Sequence, residues 1–247
     1  MEKEINLNIK KYNNIDLILP AYNEEESIKK SINDFESLNI FNNIIVIDNN
    51  STDKTEDEIK KTNAKYFLEK KQGYGSALMR GIKESKSEFL ITCEPDLTFS
   101  HHDVFKFLVY LDEFDCVFGT RTSKSMIEVG AKMTSYLRYG NILVAKLLEY
   151  LFNGPSLTDV GCSFKAFKTK NLQDIVDKLN VNGSHFQPEL MIRLIESDIK
   201  IIEIPVFYLK RKGYSKITYN FYSSLTVAIN MLKIIFLLFF KKIFKIK

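Results

Sequence analysis

The chain has 247 residues, 45% of them hydrophobic and 27% charged, with a formal net charge of +4. That is the composition of an ordinary globular domain with a sizeable core, and it excludes a disordered, collagenous or disulfide-scaffold protein. The charge is too mild to imply nucleic acid. The three cysteines, Cys93, Cys116 and Cys162, have no CxxC spacing and read as small core residues in a reducing compartment. Residues 1–11 are polar and charged, so no signal peptide is expected.

Ile15 to Leu19 predicts a first strand, stopped by Pro20. Asn23 is placed to cap a helix, with Glu26 at the capping-box position. Ile44 to Ile47 is a second, β-branched strand ending at Asp48, followed by a polar loop (Asn49 to Asp53) and a short charged helix. A third strand lies near Ala64 to Leu68, and Gly73-Tyr74-Gly75 opens a helix running to about Ser85. Phe89 to Cys93 is a fourth strand, Asp103 to Leu111 a helix, and Cys116 to Phe118 a fifth strand leading to Gly119-Thr120-Arg121. This repeated β-loop-α pattern predicts a mostly parallel, Rossmann-like sheet flanked by helices. Beyond Arg121 the period changes. Residues 131–152 read as one long helix and Ser163 to Phe167 as a strand. Helices follow near Leu172 to Lys178 and Pro188 to Ser197, then an edge strand from Ile199 to Tyr208 interrupted by Pro205. Tyr219 onward reads as one apolar-rich helix.

The fourth strand runs into Glu94-Pro95-Asp96. Alternation along an extended chain puts the two carboxylates on one side. The carboxyl end of a parallel strand is where open α/β sheets place their ligands. Two acids there suit a hard divalent cation that also holds a substrate diphosphate. A dinucleotide-binding fold would need GxGxxG in the first βα turn, but that turn is Pro20-Ala21-Tyr22-Asn23-Glu24, without glycine. No Gly-Lys-Ser/Thr follows any strand, so a P-loop is absent as well.

Four blocks, in order, resemble family 2 glycosyltransferases of the GT-A fold, and among them the dolichyl- and polyprenyl-phosphate sugar synthases. Leu19 to Glu25 is similar to the family's first nucleotide loop and Val46 to Asp53 to the second. Glu94-Pro95-Asp96 stands at the metal-binding DxD, and Thr158 to Lys165 at the segment before the acceptor region. Glu94 departs from the usual first Asp, Pro95 stiffens the turn, and Asn49 stands where a second Asp is common. The QxxRW motif of polymerising synthases is absent.

The resemblance implies a GT-A catalytic domain over residues 1–216 and an NDP-sugar donor. Pro20, Ala21, Tyr22, Glu24, Asp48, Gly73 and Glu94 would bind the nucleotide sugar. Glu94 and Asp96 would hold Mg²⁺ or Mn²⁺. Asp96, Arg121 and Asp159 would be catalytic, Asp159 either orienting the acceptor or a cation or acting as base. Arg211, Ser215 and Lys216, in a basic turn with Gly213, would bind the acceptor phosphate. Gln187-Pro188-Glu189 is a candidate for shaping the sugar pocket. The implied reaction is inverting transfer of one sugar to a dolichyl or undecaprenyl phosphate. The alternatives are transfer to a hydroxyl of a glycan or lipid-linked oligosaccharide, and a non-catalytic nucleotide-sugar-binding protein. Homo-oligomerisation stays open.

Residues 217–247 read as an amphipathic, basic tail. At helical spacing Thr226, Asn230, Lys233, Lys241 and Lys245 share one side, and Leu225, Ile229, Leu232, Phe236, Phe239 and Ile243 the other. This is the pattern of a helix lying in a membrane interface with lysines toward anionic headgroups. The expectation is a peripheral enzyme on the cytoplasmic face of a membrane.

Overall fold

The computed structural model describes residue 12, residues 14–211 and residues 221–245, the side chain of residue 221 apart. Among them, β1 (Ile15–Ala21), β2 (Asn43–Asp48), β3 (Lys65–Leu68), β4 (Phe89–Thr92), β5 (Cys116–Thr120), β6 (Lys165–Lys168) and β7 (Ile201–Pro205) form one sheet ordered β3-β2-β1-β4-β6-β5-β7. All neighbours are parallel except around β6, which runs antiparallel to both β4 and β5. Six strands therefore end on the same edge, and the loop entering β6 arrives there too. β1, β2, β4 and β5 are almost wholly buried, as expected for strands covered on both faces.

Helices α1 (Ile28–Glu36), α2 (Thr55–Ile59) and α4 (Val104–Leu111) bury Ile28, Ile32, Ile59, Val104 and Phe107 against one face. On the other face lie α3 (Tyr74–Glu84), α5 (Ser135–Phe152), α6 (Thr169–Gln173), α7 (Phe186–Glu196) and α8 (Phe221–Ile243), around a second core. Gly81 lets α3 approach the sheet: a Cβ there would lie 2.6 Å from Ile18.

Four local expectations are corrected. Pro20 does not stop β1, which continues to Ala21. Ile18 O accepts from Cys93 N and Ala21 O from Asn49 N, so Pro20 faces the β4 side, two residues past the last paired position, Ile18. The missing N–H thus interrupts no ladder bond. Asn23 does not cap α1, which begins five residues later after Ser27. Instead Asn23 is left-handed (φ +53°), and its Oδ1 accepts the Thr52 N–H at 2.7 Å, tying two loops together. The long helix starts at Ser135 rather than residue 131, and the stretch read as a helix from Leu172 splits into α6 and a 3-10 turn, Val176–Lys178.

Helix α8 adds a docked face to the expected pattern. It packs on α5 and α7, with Met231, Ile235 and Leu238 buried. Of the six residues expected on its apolar side, Leu225, Ile229, Phe236 and Ile243 are exposed, whereas Leu232 and Phe239 lean on the core. The helix carries two apolar faces, one docked and one open. It is also the one described helix long and apolar enough to cross a membrane. Docking makes a direct prediction. Ile235→Ala should lower unfolding free energy by about 2–5 kcal/mol, and Leu237→Ala, at a half-exposed site, by less than about 1 kcal/mol, both read from urea denaturation. Equal small effects would mean that α8 is not part of the core.

Candidate active site

The chain leaves β4 at Thr92, whose hydroxyl donates to Ser163 O at 2.8 Å and fixes the β6 loop beside the acidic turn. Leu97 takes a left-handed φ of +62°, a costly conformation for a branched residue, and turns the chain sharply after Asp96. Asp96 Oδ1 accepts from Thr98 N at 3.0 Å and Thr98 Oγ1 at 2.6 Å. Its Oδ2 faces Arg211 Nη1 at 2.9 Å, and the same guanidinium reaches Glu24 at 2.6 Å through Nη2. The strap after β7 delivers Arg211: Val206 N bonds Thr120 O, Phe207 N bonds Asp103, and Leu209 N bonds Thr98 O. Glu94 lies beside Asp96, and its pKa is pushed up to about 7 by burial and then by the Asp96 charge, against the pull of Arg121 and Arg211.

Arg121 follows β5. Its Nε and Nη2 donate to both oxygens of Asp159 at 2.8 and 2.9 Å, and its backbone N–H adds a third bond at 3.0 Å. Asp159 also accepts from Gly161 N at 3.0 Å. It is fully buried; burial works to raise its pKa, but the Arg121 charge and hydrogen bonds hold the carboxyl below the usual range. Glu203 on β7 in turn accepts the backbone N–H groups of Thr158 and Asp159, at 2.8 and 3.0 Å. The Tyr208 ring lies 5.4 Å from the Arg121 guanidinium.

The two expected nucleotide loops are joined at the ends of β1 and β2. Asn23 N bonds Ser51, Glu24 N bonds Thr55, and Lys54 N bonds Glu25. Asp48 is buried, accepting from Ser51 N at 3.1 Å and Tyr66 OH at 3.3 Å. The Asn49 amide is spent internally: it donates to Glu69 O and Lys71 O and accepts from Gly73 N. Gly73 has φ +136°, and a Cβ there would meet Asn182 O at 2.2 Å. Pro20 and Ala21 are buried in β1, and Tyr22 is partly exposed.

A cavity of about 360 Å³ opens beside the acidic turn. Glu94, Asp96, Arg121, Tyr208 and Arg211 line it from the strand ends and the strap. Leu137, Val144, Leu225, Val227 and Met231 line it from α5 and α8, together with Tyr136, Asn141 and Ser224. The fold thus brings together Glu94, Asp96, Arg121 and Arg211 there, with Glu24 reaching Arg211 from the first loop. Asp159 stands behind Arg121 and is not part of the lining. Pro20, Ala21, Tyr22, Asp48 and Gly73 flank the site on the neighbouring loops, outside the lining as well. Ser215 and Lys216 lie outside the described residues. Tyr208 and Glu203 belong to no sequence motif, and only the fold brings them to the site.

Among the described residues no three His, Cys, Asp or Glu side chains converge on one point. Glu94 and Asp96 therefore suit a small, oxygen-seeking cation that takes one or two carboxylates and completes its shell with substrate phosphate.

The sequence model described as "Glycosyl transferase family 2" matches residues 16–176. The chain belongs to that family. It is a glycosyltransferase, and its catalytic architecture is GT-A. It is 28% identical over 208 residues to a dolichyl-phosphate hexose transferase of Haloferax volcanii, covering 83% of this chain and 87% of the relative. It is 26% identical over 197 residues to glycosyltransferase AglJ of the same organism, covering 79% of this chain and 63% of the relative. A solved structure of glucosyl-3-phosphoglycerate synthase from Mycobacterium tuberculosis, with Mn²⁺, UDP and phosphoglyceric acid, superposes with a TM-score of 0.71 at 18% identity. It covers 91% of this chain and 78% of that one. The same enzyme with Mg²⁺ and UDP gives 0.70, over 91% and 79% of the two chains.

The buried pair at the heart of this glycosyltransferase has a stability signature. Asp159→Asn leaves the Arg121 charge uncompensated and should cost about 3–5 kcal/mol, measured by denaturant unfolding. Because the folded pKa of Asp159 is depressed, its contribution is present above the unfolded value of about 4 and disappears as pH falls below it. The wild type should lose this stability on acidification, and the Asn variant should show a correspondingly flatter pH profile.

Proposed function

We propose that this enzyme moves one hexose from an NDP-sugar to a polyprenyl phosphate, with inversion, at a membrane surface. The observation that carries the reading is the mixed lining of the cavity: arginines and carboxylates from the strand ends and the strap, and a mainly apolar stretch from α5 and α8. An isoprenoid phosphate has that same division of character. A relative named dolichyl-phosphate hexose transferase points the same way.

Mg²⁺ or Mn²⁺ held by Asp96 with Glu94 would neutralise the charge that builds on the departing nucleoside diphosphate. Asp48 and the loops around it hold the nucleoside. Arg121 and Arg211 bind phosphate oxygens through planar, forked donors. Asp159 keeps Arg121 in position, so its role is orientation rather than proton abstraction. Among the described residues, Glu94 and Asp96 are the only carboxylates lining the cavity. With both assigned to the cation, no general base remains, which suits an acceptor that is already an anion at neutral pH. The open face of α8, with Ile229, Phe236, Leu237 and Phe240 exposed, lies in the interface of the cytoplasmic leaflet, beside the lipid that the cavity receives.

The test is incubation of the full chain with NDP-sugars, divalent cation and undecaprenyl or dolichyl phosphate in mixed micelles. The expected product is a lipid monophosphate sugar with the anomeric configuration opposite to the donor, and free polyprenol should not react. Transfer to a glycan hydroxyl without a lipid product would overturn the acceptor assignment. Asp96→Ala should reduce turnover by about 10²-fold or more, and EDTA should mimic it; full activity in EDTA would remove the metal. Deleting α8 would uncover Ile235 and the core, so membrane binding is better tested at the surface. Phe236→Ser with Phe240→Ser should abolish co-sedimentation with anionic liposomes while leaving nucleotide binding intact. Undiminished pelleting would exclude this face as the anchor.

A further inference from the structure

Gln187 opens α7 and borders the cavity. It is only 3% exposed, and the two ends of its amide are treated differently. Nε2 donates to Tyr74 OH at 2.9 Å, while Oε1 is buried without a hydrogen-bond partner in the described structure. A buried acceptor left unsatisfied costs about 1–3 kcal/mol, so an orphan beside a ligand cavity asks for a donor from the ligand.

The surroundings hold Gln187 in this position. Glu189, two residues further along α7 and itself buried, accepts the backbone N–H groups of Asn180 and Val181 at 2.9 and 2.7 Å. Asn182 O accepts from Gly75 N at 2.8 Å, which docks the entry to α7 onto the start of α3. Pro188 has no N–H to compete for a partner. The backbone at Gln187 is therefore locked from both sides, while the amide torsion χ3 is soft, so Oε1 can turn toward the cavity that Gln187 borders, shifting Nε2 on Tyr74 OH as it does.

The chemistry of the candidate ligands selects the donor. Ionised phosphates carry no proton, and an isoprenoid chain has no polar hydrogen. Base N–H groups belong with Asp48, outside this lining. The ribose hydroxyls belong with the nucleoside, on the loops around Asp48, and the hydroxyls of the transferred sugar remain. We propose that Gln187 is a specificity-determining residue whose Oε1 accepts a hydrogen bond from one hydroxyl of the transferred hexose. This rests on the reading of the cavity as the site of an NDP-sugar donor, and it adds the group that reads the sugar.

The test is isothermal titration of the full chain and of Gln187→Met, which keeps the volume and removes the acceptor. The ligands are UDP, GDP, dTDP, ADP and CDP and their glucose and mannose conjugates, with Mn²⁺ present. For the nucleotide that the wild type binds, affinity for the bare diphosphate should be unchanged in the variant, which also verifies its fold. The additional affinity supplied by the sugar should fall about tenfold. Among monodeoxy analogues of that donor, one should bind the wild type about tenfold more weakly yet bind Gln187→Met no worse than the parent sugar does. If the variant keeps the full sugar-dependent gain, the Gln187 assignment is wrong and the donor reading stands. If the wild type binds none of these nucleotides, the donor reading itself falls, and this inference with it.

Discussion

The site depends on one buried ion pair. Taking a guanidinium and a carboxylate out of water costs several kcal/mol per ion, and their attraction offsets this only when geometry is good and the remaining lone pairs are satisfied. Asp159 meets that condition with four donors: three from Arg121 and one from Gly161. It can reach Arg121 only because β6 runs against its neighbours, which brings the loop before it to the edge where β4 and β5 end. One reversed strand thus places Asp159 among parallel strand ends, and Glu203 on the edge strand fastens the loop that carries it.

A second balance is set at the same edge. Glu24, Glu94 and Asp96 gather negative charge there, and Arg211 answers two of them, bridging Asp96 and Glu24. Among the described residues Glu94 has no such bridge, and burial beside Asp96 pushes its pKa up to about 7. The site is therefore tuned for further positive charge. Arg211 depends on a strap of backbone N–H bonds to Thr98, Asp103 and Thr120, so this edge and the strap form one unit.

Helix α8 links this chemistry to its setting. Its docked face closes the core beside α5 and α7, and residues near its start, Leu225, Val227 and Ala228, wall the apolar half of the cavity. Its other face leaves Phe236, Leu237 and Phe240 exposed. Phe239 meets Phe152 edge-on at 6.1 Å, and Lys242 lies over the same ring, so the basic end of the helix is held to the domain.

The β-loop-α rhythm up to Arg121, the acidic pair after the fourth strand and the family resemblance were legible in the chain. They rest on local period and on motifs whose residues are adjacent. Arg121, Arg211 and Glu24 could be nominated but not joined, because their partners are 38 to 187 positions away. The reversal of β6 has no local signature, since a four-residue strand such as Lys165–Lys168 pairs in either direction. The two-faced character of α8 has no signature on a helical wheel, because apolar residues extend beyond one stripe, and only the positions of α5 and α7 decide which of them are covered. Gln187 could be named from its neighbourhood in the chain, but whether its oxygen has a partner is a question of packing. The sequence by itself determined the family, the elements and the acidic motif, because these follow from short-range pattern. The tertiary structure alone decided which charges meet, which acceptor is left open and which apolar face is free, because each depends on groups brought together by the fold.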